Sequence, residues 1–293
     1  MQLSVREHPK QKISVLGLNM AYVEMGQGDP IVFLHSNPTS SYVWRNIIPH
    51  VARFGRCIAV DYIGMGDSDK LPFPDSSSYS FIEHRCYVDA FLEEIGATKN
   101  IIFVGHCWGA ALAFDWGRRH PDAVKGFVHM EALVKALDSW EDFPDFGRLT
   151  YQALRSSVGE DMIFNANFMV QAMLPSLLLR RMSAQEYAIY ERPFRNPADR
   201  WPMLAFPRQL PVAGKPEDTH LIFNRFSEWM SVNGIPKLFL AGNPGGIMTE
   251  KMANYCRTWP NQVEVPILGS HHIQEDSPDE IGQAIATWIE GLQ

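Results

Sequence analysis

Cysteine is scarce and scattered. The four thiols, Cys57, Cys86, Cys107 and Cys256, stand far apart in 293 residues, with no CxxC pair and no histidine spacing typical of a metal site. A disulfide framework is therefore excluded, and neither a metal nor a cofactor is expected. Basic residues are outnumbered, 26 Lys and Arg against 33 Asp and Glu, for a net charge of −7. That balance argues against nucleic acid as a partner. No apolar run approaches the roughly 18–20 residues of a membrane span. The opening residues Met1 to Glu7 lack the apolar core of a signal peptide. A cytoplasmic protein with free thiols, without a membrane partner, is the expectation. Repeats and low-complexity tracts are also missing.

What the chain does have is apolar material. It is 46% hydrophobic and 12% aromatic and carries 13 Met, enough for a sizeable core and a large apolar pocket. Residues 13–24 read as two strands broken near Gly17. Residues 31–34, 56–60, 101–104 and 124–130 read as further strands, and the continuous apolar runs among them are those of strands covered on both faces. Residues 44–51 and 81–95 have helical spacing, the latter stopped by Gly96. From residue 132 to about 215 the alternation gives way to helix-like segments at 140–146, 163–179 and 184–190, followed by a crowd of prolines. Strands return at 235–241 and 263–268, and a helix over 278–291 closes the chain. The expected organisation is an α/β core of residues 1–131 and 216–293, interrupted by a helical cap of residues 132–215.

One turn organises the rest. Gly105-His106-Cys107-Trp108-Gly109 joins the strand at 101–104 to a helix that runs to Arg118 and Arg119. A Gly two residues either side of a central nucleophile is the elbow of α/β-hydrolases, where small neighbours let strand and helix backbones approach. The usual occupant is Ser, in one branch Asp; here it is Cys107.

Two more groups at strand ends suit such a site. Glu131 follows the strand at 124–130. The loop after the penultimate strand, Gly242 to Gly246, holds no carboxylate, which leaves Glu131 as the acid. After the last strand come His271 and His272, either of which can serve as base on local grounds. The chain order of nucleophile, acid and histidine is that of α/β-hydrolases. The backbone N–H groups of Trp108 and Asn37 are candidates for an oxyanion site, and the Asn37 amide and Trp108 indole are further donors for an anion.

At these residues the chain resembles the haloalkane dehalogenase family, and also the related coelenterazine luciferases of sea-pansy type. The likeness runs through residues 35–46, 61–68, 101–114, 205–210 and 274–276. It implies an α/β-hydrolase fold with a mostly parallel eight-stranded sheet, helices on both faces and a helical cap. It implies a triad of Cys107, Glu131 and His271, with halide held by Asn37 and Trp108. It further implies a pocket lined by Phe143, Phe168, Ala172, Phe206, Pro207 and Ile247, for a small apolar substrate (a halogenated alkane or an ester), in a monomer or homodimer.

Two positions depart from the family pattern. Ser36 stands where family members usually have Gly, and Cys107 where they have Asp. In the family the Asp carboxylate displaces halide to give an alkyl ester, which water then hydrolyses. A thiolate performs the first displacement but yields a thioether with no carbonyl for water to attack. The expected outcome is a dehalogenase-like hydrolase that stops after one turnover. The alternatives are a Cys-His-Glu hydrolase of apolar esters or lactones, a coelenterazine luciferase-like monooxygenase, and a non-catalytic binder of hydrophobic ligands.

Overall fold

The two most apolar runs of the chain lie side by side in the middle of one sheet, Ile31 opposite Ile102 and Leu34 opposite Gly105. A computed structural model describes residues 3–292. Its strands are β1 (Lys10–Val15), β2 (Leu18–Met25), β3 (Pro30–Leu34), β4 (Arg56–Val60), β5 (Ile101–His106), β6 (Val124–Met130), β7 (Lys237–Pro244) and β8 (Gln262–Gly269). In space they run β1-β2-β4-β3-β5-β6-β7-β8. β1 and β2 form a hairpin turned at Leu16 and Gly17, both at positive φ, and β2 meets β4 antiparallel. All other pairings are parallel.

Successive side chains of a strand point to opposite faces, and both faces here are buried. Ile31 and Phe33 join Ile102, Val104, Val128 and Met130 in one cluster, under helices Ile48–Val51 and Pro278–Glu290. Val32 and Leu34 join Phe103 and Phe127 in the other, under helices Phe81–Glu94, Trp108–Arg119 and Glu217–Met230. Burying each such side chain contributes roughly 1.5–3 kcal/mol. The Phe81–Glu94 helix starts at Ser80, whose side chain accepts from the Glu83 N–H. It stops before Gly96 at φ +69°.

Residues 132–215 contain no strand. Their two ends are clasped together: Leu137 bridges Val212, the Leu137 N–H donates to Pro211 O, and the Ala213 N–H donates to Leu137 O, both at 2.9 Å. The helices between differ in detail from expectation. A 3-10 turn at Trp140–Asp142 leads into helix Asp145–Arg155, and the stretch after 160 contains two π-helical turns, Asp161–Asn165 and Met169–Met173. The prolines do not simply end helices. Pro202 fits the first turn of helix Trp201–Gln209, where an N–H is dispensable. Pro207 lies within it, near its end, and the Arg155 guanidinium donates to the carbonyls of Pro207, Arg208 and Leu210. Among the described residues no helix is long and apolar enough to cross a membrane.

Candidate active site

The elbow is as tight as its glycines require. A Cβ on Gly105 would stand 2.5 Å from Ala110 Cα, and one on Gly109 would stand 2.1 Å from the carbonyl oxygen of Leu34. Cys107 itself has φ +49°, a conformation costly for a residue with a side chain. It is buried at the N-terminus of helix Trp108–Arg119.

Glu131 follows β6, also at positive φ (+46°), and is buried. Its Oε2 accepts the Ile247 N–H at 2.7 Å, the Met248 N–H at 3.3 Å and the Nδ1–H of His271 at 3.0 Å. The carboxylate-free loop after β7 therefore has a use. A Cβ on Gly245 would stand 2.8 Å from Glu131 Oε1, so the loop makes room for the acid and hands it backbone donors.

With Nδ1 committed to Glu131, His271 presents Nε2 to Cys107, with which it forms a side-chain hydrogen bond. Burial alone would lower the pKa of His271. The negative charge and hydrogen bond of the Cys107 sulfur, together with Glu131, outweigh it and raise the pKa to about 9. His272 is fully buried, and burial followed by the His271 charge holds its pKa well below 6.5.

His106, next to the nucleophile, donates Nε2–H to the His271 carbonyl at 2.8 Å. No spacing in the sequence suggests it, but His106, His271 and His272 bring one ligand atom each within 4.8 Å of one another. Two of these rings are already committed, His106 to the His271 carbonyl and His271 to Glu131.

The candidate anion donors are left without acceptors. Among the described residues the backbone N–H groups of Asn37 and Trp108 and the Trp108 indole N–H have no acceptor. Asn37 is held by its side-chain amide, which donates to Met203 O at 3.2 Å. The Phe206 ring lies 5.3 Å from that of Trp108 and stacks at 4.6 Å on His84.

The sequence of residues 29–278 matches the α/β hydrolase fold family. The chain is 48% identical over 285 residues to a haloalkane dehalogenase of Sphingobium indicum, covering 97% of this chain and 96% of that protein. It is 42% identical to the haloalkane dehalogenase of Mycolicibacterium smegmatis, covering 94% and 89%. The chain belongs to the haloalkane dehalogenase family. The structural likeness agrees. A crystal structure of a haloalkane dehalogenase from Bradyrhizobium elkani superposes with a TM-score of 0.92 at 38% identity, covering 97% of this chain and 98% of the other. One from Agrobacterium tumefaciens gives 0.90 at 31% identity, covering 97% of each.

Of the expected pocket residues in this dehalogenase-like hydrolase, Phe143, Phe206, Pro207 and Ile247 are buried and Phe168 is half-buried against the same cluster. Ala172 departs from expectation, because it is exposed. A regular α-helix would align it with Phe168 four residues earlier. The π-helical turn, with its i to i+5 bonds, instead brings Met173 inward with Met169 and Val170.

The sequence also passes over Tyr151. Burial and then the Cys107 charge raise the pKa of its phenol, and the ring is buried in the same cluster as Cys107. It packs against the Phe143 ring, tilted at 50° with centroids 4.6 Å apart. The available signal was the row Gly147, Tyr151, Leu154 on the buried side of one helix.

Proposed function

We propose that Cys107 carries out the first half of the family's reaction and not the second. The observation that supports this reading is the hydrogen-bonded row Glu131–His271–Cys107, in which the imidazole holds a proton opposite the sulfur. A haloalkane seated among Phe143, Phe206, Pro207 and Ile247, beneath residues 132–215 acting as a cap, meets that sulfur; exposed Ala172 then lies at the rim. The thiolate forms a C–S bond as the carbon–halogen bond breaks, and the electron pair leaves with the halide. The free donors of Trp108 and Asn37 receive that anion. His271 keeps its proton throughout. The product is a thioether on Cys107, and the cycle ends there.

The test is incubation with a bromoalkane at several enzyme concentrations. One halide per chain and a mass increase of one alkyl group on Cys107 are expected. Sustained halide release beyond one equivalent refutes the reading.

A second reading has an observation of its own. The backbone N–H groups of Trp108 and Asn37 have no acceptor among the described residues, and as an oxyanion hole they would suit a tetrahedral intermediate. An ester or lactone would acylate Cys107, and unlike the thioether that thioester is open to water. Nitrophenyl esters discriminate: turnover abolished by Cys107→Ala supports it, and equal rates from both proteins end it. The luciferase and pure-binder alternatives gain no comparable support, since a binder needs neither Glu131 nor His271. Four unpaired thiols suit a reducing cytoplasm, which we propose as the location.

A further inference from the structure

The loop that carries the base is bonded to the cap, and one side chain, Asp276, accepts from both. Asp276 Oδ2 accepts the N–H of Ser270, the residue before His271, at 2.9 Å. Its Oδ1 accepts the N–H groups of Leu179 and Arg180, from the cap, at 2.9 and 3.1 Å. The His272 N–H in turn donates to Leu177 O at 3.2 Å. Next to Asp276, buried Glu275 gathers Arg45 from the core with Arg180 and Tyr190 from the cap, and Arg180 Nε donates to the Glu275 carbonyl. Glu186 of the cap completes the cluster, accepting from Arg45 at 2.8 Å and from Arg180.

We propose that Asp276 is a positioning residue that couples seating of the cap segment 177–180 to placement of His271 between Glu131 and Cys107. The inference rests on the triad reading above and adds to it how the base is held. A carboxylate has an oxygen for each side of this junction, so loop and cap are fixed against one acceptor. When the segment lifts, Asp276 loses two donors, and the tether on Ser270 slackens with it. His271 itself is held from the core, by the His106 Nε2–H on its carbonyl at 2.8 Å and by Glu131 on Nδ1, while the Ser270 N–H just before it is held by Asp276. The groups facing the ring are Cys107, Glu131, His106 and His272.

Asp276→Asn tests this, because Asn offers one acceptor oxygen and turns an NH2 group on the other side's donors. The readout is the NMR titration of His271 in the full chain, which does not depend on whether Cys107 is alkylated. The pKa of His271 is expected to fall by about one unit as its bonds to Glu131 and Cys107 loosen. The control is Arg192→Met. Arg192 also ties cap to core, through Glu7 at 2.8 Å and Asp67 at 2.8 Å, but touches nothing on the catalytic loop. Its loss should weaken the cap attachment and leave the His271 titration in place. No shift in Asp276→Asn, or the same shift in both variants, overturns the proposal.

Should Asp276→Asn not fold, hydrogen exchange on the wild-type chain decides. The amides of Ser270, Leu179 and Arg180 are expected to exchange through one common opening. Ser270 staying protected while the other two exchange overturns the coupling. The failure of single-turnover alkylation would leave these outcomes untouched, so the two readings fail separately.

Discussion

Oε2 of Glu131 lies 3.0 Å from Nδ1 of His271, and that same oxygen holds the Ile247 N–H at 2.7 Å. The acid is therefore fixed by backbone before it fixes the imidazole. Glu131→Gln keeps the shape but takes away the charge that favours imidazolium, and an inserted amide NH2 would face the Ile247 N–H. Alkylation of Cys107 by a bromoalkane or iodoacetamide should slow about 10²-fold, in the range that proton-handling groups supply. Stopped-flow labelling with mass detection measures it.

Cys107→Asp should convert one turnover into many. The carboxylate would form an alkyl ester whose carbonyl water can attack, with His271 as base and Glu131 unchanged. Asp also tolerates positive φ better than most residues, so the elbow at φ +49° should accept it. Halide release is expected to continue well past one equivalent per chain.

Stability should peak near pH 6.5. On the acid side, burial holds His35 at about 4, His84 at about 3 and His129 at about 4, with His106 and His272 well below 6.5. These five are neutral when folded and take up protons on unfolding. Their contribution is complete above pH 6.5 and is lost as pH falls towards 4, at up to about 1.4 kcal/mol per pH unit for each. His271 has the opposite sign. Its folded pKa of about 9 lies above the unfolded 6.5, so its contribution is complete below 6.5 and is lost as pH rises through 9. Urea titrations at a series of pH values show both slopes, and Cys107→Ala should flatten the alkaline one.

Gly109→Ala should cost at least about 3 kcal/mol or prevent folding. The obstacle is the Leu34 carbonyl oxygen, 2.1 Å from the added Cβ, and it is backbone at the centre of the sheet. Gly214→Ala is the contrast, with no atom within 4 Å and only its φ of +81° to strain. Chemical denaturation of the two variants compares them.

The core, and the meeting of Glu131 with His271 near Cys107, were legible because each depends on local pattern. Apolar runs mark β3 and β5, two glycines flank Cys107, Glu131 directly follows β6 and His271 comes two residues after β8. The missing carboxylate between Gly242 and Gly246 pointed to Glu131, but nothing in the sequence says that the Ile247 amide steadies it. Residues 132–215 were legible as helical and no further. Ala172 was misplaced because a π-turn changes the side-chain period, and residues 201–209 form a helix despite two prolines because Arg155, far away in the chain, satisfies its last carbonyls. Tyr151 and the Arg45–Glu275 pair were invisible for the same reason: tertiary folding alone brings them to their partners. The Ser36 hydroxyl is buried with no partner among the described residues, and nothing in the structure explains it.

The bridge between Leu137 and Val212 means that the strand-free segment of residues 132–215 begins and ends at one seam. A segment from another dehalogenase would need to match this chain covalently there alone. An exchange of the segment as one piece would also have to keep the partners of Asp276, Glu275 and Arg45, which clamp it to the core.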